Sequence, residues 1–140
     1  LAARFSDKSD EVLKAIAAKG GVMGISGMRL LVSATEPTTI TNVVDHIDYA
    51  VKLIGPDHVG IGTDADLYGY DKMPADQNAA MRATNKQAQA ARARIDTDCF
   101  SGPLKMYNLV EEMVRRNYSD GQIRAILGGN FRRLLATVWT

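Results

Sequence analysis

The sequence predicts an α/β fold in which short parallel strands lie buried between helices. Three observations carry that expectation. Two brief apolar runs, residues 22–25 and 58–63, lack the alternation of a half-solvated strand. Helical periodicity flanks both. The order along the chain is helix, strand, helix, strand, helices, the pattern of strands that cross over through helices.

Taken in order, Ser9 stands as an N-cap ahead of Asp10 and Glu11, with Val12, Leu13, Ile16 and Ala17 at helical spacing and Gly20-Gly21 as the stop. Residues 22–25 then form the first strand, and residues 28–37 a loop. Thr38 or Thr39 caps a second helix, whose Ile40, Val43, Val44, Ile47, Val51 and Ile54 make one apolar stripe, closed by Gly55-Pro56. The second strand, residues 58–63, carries Gly60 and Gly62, positions where another backbone or a ligand comes close, and delivers Asp64 at its carboxyl end. A turn-rich loop over 67–75 leads to a polar, Ala-rich helix over 76–94. Three helices complete the chain. The first, 104–116, turns Met106, Leu109, Val110, Met113 and Val114 inward; the second, 119–127, opens on a Ser119-x-x-Gln122 capping box; the third, 130–139, turns Phe131, Leu134, Leu135 and Val138 inward.

Two strands are too few for a buried parallel sheet, and a complete (β/α)8 TIM barrel needs about 250 residues. The 140 residues are therefore expected to be the carboxyl-terminal portion of such a barrel, its last two strands and their helices, and a section of something longer. Composition agrees with one globular unit. Apolar residues make up 46% and charged residues 24%, which excludes disorder. The formal net charge of +1 gives no reason to expect nucleic acid or an acidic surface as a partner. One cysteine can close no disulfide within the chain and build no thiolate cage.

Asp64 is the first candidate for chemistry, because α/β folds place reacting groups at the carboxyl ends of their parallel strands. A strand-end aspartate that merely caps its loop is the plain alternative. Two motif matches around it fail. Asp64-x-Asp66-x-Tyr68-Gly69 resembles the opening of a calcium loop, but Ala75 stands where the closing bidentate Glu is required. Gly60-x-Gly62-x-x-Ala65 fits the dinucleotide fingerprint, yet loop stands where the phosphate-seating helix should begin. Of the two imidazoles, His46 lies in Asp45-His46-x-Asp48, whose members point to different helix faces, and reads as a surface or packing residue, while His58 stands at the amino end of its strand, away from the reacting face. With no third imidazole or thiol, a closed zinc site within the chain is not expected. Cys99, in the loop Asp96-Thr-Asp-Cys99-Phe100 with acidic neighbours, is a poor nucleophile. The pairs Arg115-Arg116 and Arg132-Arg133 read as solvated helix faces.

Three stretches in this order resemble the carboxyl-terminal part of the membrane (renal-type) dipeptidase family, peptidase family M19. They are Val44-Asp-His-Ile-Asp-Tyr49, His58-Val-Gly-Ile-Gly-Thr-Asp64 and Ile126-Leu-Gly-Gly-Asn-Phe131, and the likeness extends over nearly the whole chain. The resemblance implies a (β/α)8 barrel with two zinc ions that hydrolyses dipeptides, often with a D-residue on the carboxyl side. It implies that Asp64 falls on the family's strand-eight aspartate, the proton donor to the departing amine. The metal ligands would belong to strands upstream of Leu1, so no metal ligand is assigned within this chain. His46 and His58 match family positions that are not ligands.

The same resemblance implies an arginine before the first helix of this region that holds the substrate carboxylate. Ungapped alignment puts Ser6 there, and a two-residue insertion puts Arg4 there; Arg4 is carried as the clamp. The segment Ser26-Gly-Met-Arg29-Leu30 departs from the family's aromatic-rich loop, and Arg29 is carried as a pocket-facing residue that alters substrate choice. Tyr68, Tyr70 and Lys72 lie near the same mouth. The partners expected are a dipeptide substrate, the amino-terminal part of the barrel and, when complete, a second copy in a dimer. Two other accounts stay open: a non-catalytic fragment or binding module without metals, and a related amidohydrolase acting on another amide or a lactone. The strand pair should be parallel, with Asp64 facing the site rather than bulk solvent.

Overall fold

The computed structural model describes residues 8–84 and 93–139 of the protein. Its regular elements are α1 (Asp10–Ala18), β1 (Met23–Ile25), α2 (Arg29–Val32), α3 (Ile40–Ile54), β2 (Val59–Ile61), α4 (Ala75–Thr84), α5 (Lys105–Arg115), α6 (Asp120–Arg124) and α7 (Asn130–Val138). The fold is α/β, as the patterning predicts. β1 and β2 pair in parallel, in the register Met23 to Val59, Gly24 to Gly60 and Ile25 to Ile61. The connection between them runs through α2 and α3, the crossover a parallel pair requires.

Local sequence chemistry sets the helix ends. The Ser9 hydroxyl accepts from Val12 N at the start of α1. Thr39 and Asn42 form a reciprocal capping box on α3, and Ser119 with Gln122 does the same for α6. Gly55, at φ 84°, stops α3 in a conformation that L side chains resist.

The core lies between the sheet and α3. Val43, Val44, Ile47 and Val59 are fully buried, and Ile25, Leu13, Leu109 and Met113 close around them. Burying each of these large aliphatic side chains contributes about 1.5–3 kcal/mol. The opposite face of the sheet is paved differently. Gly24 and Gly60 leave room for the Phe131 ring, and a Cβ at Gly60 would stand 2.4 Å from it. Asn130, itself buried, donates through Nδ2 to Pro56 O and Val59 O, each at 2.7 Å, and so ties the start of α7 to the amino end of β2. Gly62, beyond the Phe131 ring, is exposed.

Several details differ from the sequence expectation. The loop after β1 contains the short α2. Val12, Val114 and Val138 lie in solvent at 43%, 56% and 59% exposure, although their spacing fits the inward stripes. On α5 the buried place goes to Glu112, because Arg115 and Arg116 neutralise it. The helix expected over 76–94 is seen as α4; its continuation falls on residues 85–92, outside those described, and residues 93–94 are non-helical. Among the described residues no helix is long and apolar enough to cross a membrane.

Candidate active site

The carboxyl end of the strand pair is built by backbone pairing that continues past the strands. Gly62 N donates to Ile25 O at 3.0 Å, and Gly27 N donates to Thr63 O at 2.8 Å. Asp64 comes next, with φ 50°, a left-handed conformation that a short polar residue tolerates. That turn throws the chain sharply out of the sheet direction. Three contacts hold the loop over residues 65–70: the Thr63 hydroxyl accepts from Ala65 N at 3.3 Å, Asp66 accepts from Tyr68 N at 2.8 Å, and the Tyr70 hydroxyl donates to the Asp64 carbonyl at 3.4 Å. Lys105 Nζ donates to the Asp66 carbonyl at 3.2 Å and fastens this loop to α5.

Burial raises the Tyr70 phenol above its ordinary value, and the charges of Asp64, Asp66 and Asp96 raise it further. The hydroxyl thus stays a donor. Asp64 itself is exposed, and among the described residues its carboxylate accepts no hydrogen bond. The expected inward-facing environment is therefore not what this chain alone provides. The reason is geometric: no described element lies across the open face beside Gly62, so nothing shields the residue two positions on.

Arg29 is placed where the sequence reading did not put it. Its side chain is 4% exposed, and its fork is occupied by the chain's own acceptors. Nε and Nη2 donate to Glu36, the latter at 2.6 Å, while Nη1 donates to Asp98 Oδ1 at 3.0 Å and to the Asp96 carbonyl at 2.5 Å. The Glu36 hydrogen bond is the largest of the influences that raise the guanidinium above its already high ordinary value. A buried cation draws carboxylates to itself because an unpaired one is costly, so Arg29 turns into the protein rather than toward a pocket. Sequence reasoning missed its partners. Asp96, Asp98 and Glu36 lie 67, 69 and 7 positions away, and only the density of acids in Asp96-Thr-Asp98 signalled a cation in need.

Arg4 lies outside the described residues, as does Ser6. The two histidines act on backbone: His46 Nε2 donates to Val32 O at 2.7 Å and His58 Nδ1 to Gly21 O at 2.9 Å. Cys99 is free and exposed. Among the described residues no group of three or more His, Cys, Asp or Glu could hold a metal ion. A cavity of about 540 Å³ opens between the start of α1, β1 and α3, with Ser9, Glu11, Met23, Ser26, His46 and Tyr49 in its wall. Neither Asp64 nor Arg29 lines it. In its wall the Tyr49 hydroxyl donates to Asp10 Oδ1 at 2.5 Å, which ties α3 to the first turn of α1.

Comparison with known proteins completes this geometry. The family model described as membrane dipeptidase (peptidase family M19) matches residues 6–89. The chain belongs to the membrane dipeptidase family. It is 30% identical over 138 residues to a dipeptidase, ataJ, of Aspergillus terreus, covering 93% of this chain and 26% of that protein. It is likewise 30% identical over 129 residues to the dipeptidase verJ of Clonostachys rogersoniana, covering 92% of this chain and 26% of that one. The chain thus spans about a quarter of the length of these curated relatives. Among solved structures, an amidohydrolase of Pseudomonas aeruginosa superposes with a TM-score of 0.75 at 26% identity, over 95% of this chain and 41% of its own. The probable dipeptidase PvdM of the same organism gives 0.65 at 19% identity, over 91% and 39%, a likeness of fold.

Proposed function

We propose that this chain is the carboxyl-terminal section of a (β/α)8 barrel that hydrolyses dipeptides, and that Asp64 protonates the departing amine. The observation that supports the reading is the placement of Asp64 three residues beyond the carboxyl end of the second of two parallel strands, in a member of the membrane dipeptidase family. Breaking an amide requires a proton on the leaving nitrogen, and a positioned carboxylic acid supplies it. Among the described residues no donor set for metal is present. The pair of zinc ions this reading includes would be held by upstream strands and would supply the activated water. What the chain contributes is the acid and the loops that hold it. Arg4 remains the proposed clamp on the substrate carboxylate, and the upstream strands and a second copy complete the assembly. Asp64 is exposed in this chain, against the expectation that it faces the site, so the reading requires upstream strands to cover it.

A second reading is favoured by one finding: the solved structure with a TM-score of 0.75 bears the name amidohydrolase. On that reading the same acid serves another amide or a lactone. Assay of the complete protein on a panel of L-L and L-D dipeptides, simple amides and lactones separates the two. Release of amino acids from dipeptides supports the first, and turnover of the others alone supports the second. In either case Asp64→Asn should lower kcat by about 10²–10⁴-fold with metal content unchanged. An Asp64→Asn variant that keeps full activity refutes the role given to Asp64.

A further inference from the structure

After each strand the chain makes an excursion at the carboxyl end, residues 26–39 after β1 and, among the described residues, 62–84 and 93–104 after β2. Loops anchored only at strand ends move independently. These two do not hang separately, because residues 95–98 return and lie across the first excursion. Arg29 N donates to Ile95 O at 3.3 Å, Asp98 N to Thr38 O at 3.0 Å, and Ile40 N to Asp98 O at 2.9 Å. The Thr97 hydroxyl adds a buried bond to Gly27 O at 2.8 Å. Arg29 sits at the crossing, its fork shared between Glu36 on its own excursion and Asp96 and Asp98 on the other. A point-like ammonium cannot serve three such acceptors in one plane.

From Asp96 the contacts run on toward the candidate acid. Asp96 Oδ2 accepts from Asp71 N at 2.8 Å, and the neighbouring Tyr70 bonds to the Asp64 carbonyl. A buried guanidinium with all its partners in place has one arrangement of low energy, and the backbone groups it holds are fixed with it. We propose that Arg29 is a positioning residue, which locks the crossing of the two excursions and, through Asp96, Asp71 and Tyr70, holds the backbone at Asp64. The inference rests on the reading of Asp64 given above.

The test uses the complete protein and two substitutions, Arg29→Met and Tyr70→Phe. Arg29→Met should speed amide hydrogen exchange over residues 64–71 by about tenfold while α3 exchanges as before. It should lower kcat for dipeptide hydrolysis by about ten- to a hundredfold, with KM held within about threefold, since small displacements of a reacting group act on the chemical step. Tyr70→Phe should lower kcat less, and the double variant should lose less than the product of the two single losses, as members of one path do. Unchanged exchange over residues 64–71 overturns the proposal. A loss carried by KM with kcat intact also overturns it, and returns Arg29 to direct contact with substrate. Should Arg29→Met fail to fold, Tyr70→Phe decides, because it removes a single hydroxyl; unchanged kcat and unchanged exchange at Asp64 then overturn the proposal. A wild-type protein that hydrolyses neither dipeptide nor amide defeats the proposed function, while the exchange measurement still decides the positioning role.

Discussion

Gly27 shows how one missing side chain can be required by a neighbour. A Cβ there would stand 2.5 Å from the Phe100 ring and 3.2 Å from the Thr63 carbonyl. Phe100 is 1% exposed and cannot retreat. Gly27→Ala should therefore cost about 1–3 kcal/mol, as overpacking of a filled core does. Gly62→Ala provides the contrast, since its added carbon would meet Gly24 at an ordinary 3.6 Å. Chemical denaturation of the two variants checks the difference; equal midpoints would mean that the Phe100 ring is looser than its burial implies. The close backbone approach at Gly62 is legible in the sequence, whereas the role of Gly27 is not. The distinguishing fact is the ring that packs over one of them, and Phe100 lies 73 positions from Gly27 by sequence number.

Among the elements, the helices were legible wherever a cap and a stripe coincided. α3 has both and falls where the sequence predicts it, with Gly55 as its stop. α5 shows why periodicity alone misleads. Val114 fits the stripe, but the buried side of that turn is occupied by a carboxylate whose two arginine partners stand at i+3 and i+4. Hydrophobic spacing cannot register a paired charge. The placement of α7 depends on another polar group that the pattern overlooks. Asn130 opens that helix, and its two donor bonds to Pro56 and Val59 replace water for both carbonyls. Asn130→Ala leaves them unsatisfied and should cost about 1–3 kcal/mol in a denaturation experiment. A neutral result would show that the Phe131 ring against Gly60 suffices to seat α7.

Across the whole molecule, α3 and α5 are joined by an ion network as well as by apolar packing. Arg116 reaches Asp45 at 2.8 Å, Asp48 and Glu112, and the Tyr118 hydroxyl donates to Asp48 at 2.6 Å. Burial by itself would raise the Glu112 carboxyl, but hydrogen bonds and charge from Arg115 and Arg116 outweigh it and hold the group below its ordinary value. The unfolded chain therefore takes up this proton at a higher pH than the folded chain does. The associated stability is complete above the unfolded value of about 4.3 and is lost as pH falls from there through the folded value. Glu112→Gln should flatten that acid limb, which denaturation midpoints at about pH 7 and about pH 3.5 would reveal. An unchanged slope would show that Glu112 is not the source of the acid sensitivity. At this scale the sequence disclosed the class, the parallel pairing and the family, because short apolar runs between periodic helices admit few arrangements. It did not disclose the contacts around Arg29, which depend on residues brought together from far along the chain.

The clasp between Asp71 and Asp96 has a consequence of its own. Asp71 accepts from Ile95 N at 2.9 Å and Asp96 N at 3.0 Å, while Asp96 accepts from Asp71 N in return. Among the described residues the chain is thus closed between Asp71 and Asp96 as if at a doorway. Whatever lies beyond that doorway can lengthen, shorten or change its composition at little entropic cost to the rest, since closure is already made. It is a place where an engineer could graft foreign sequence without disturbing the strands beneath.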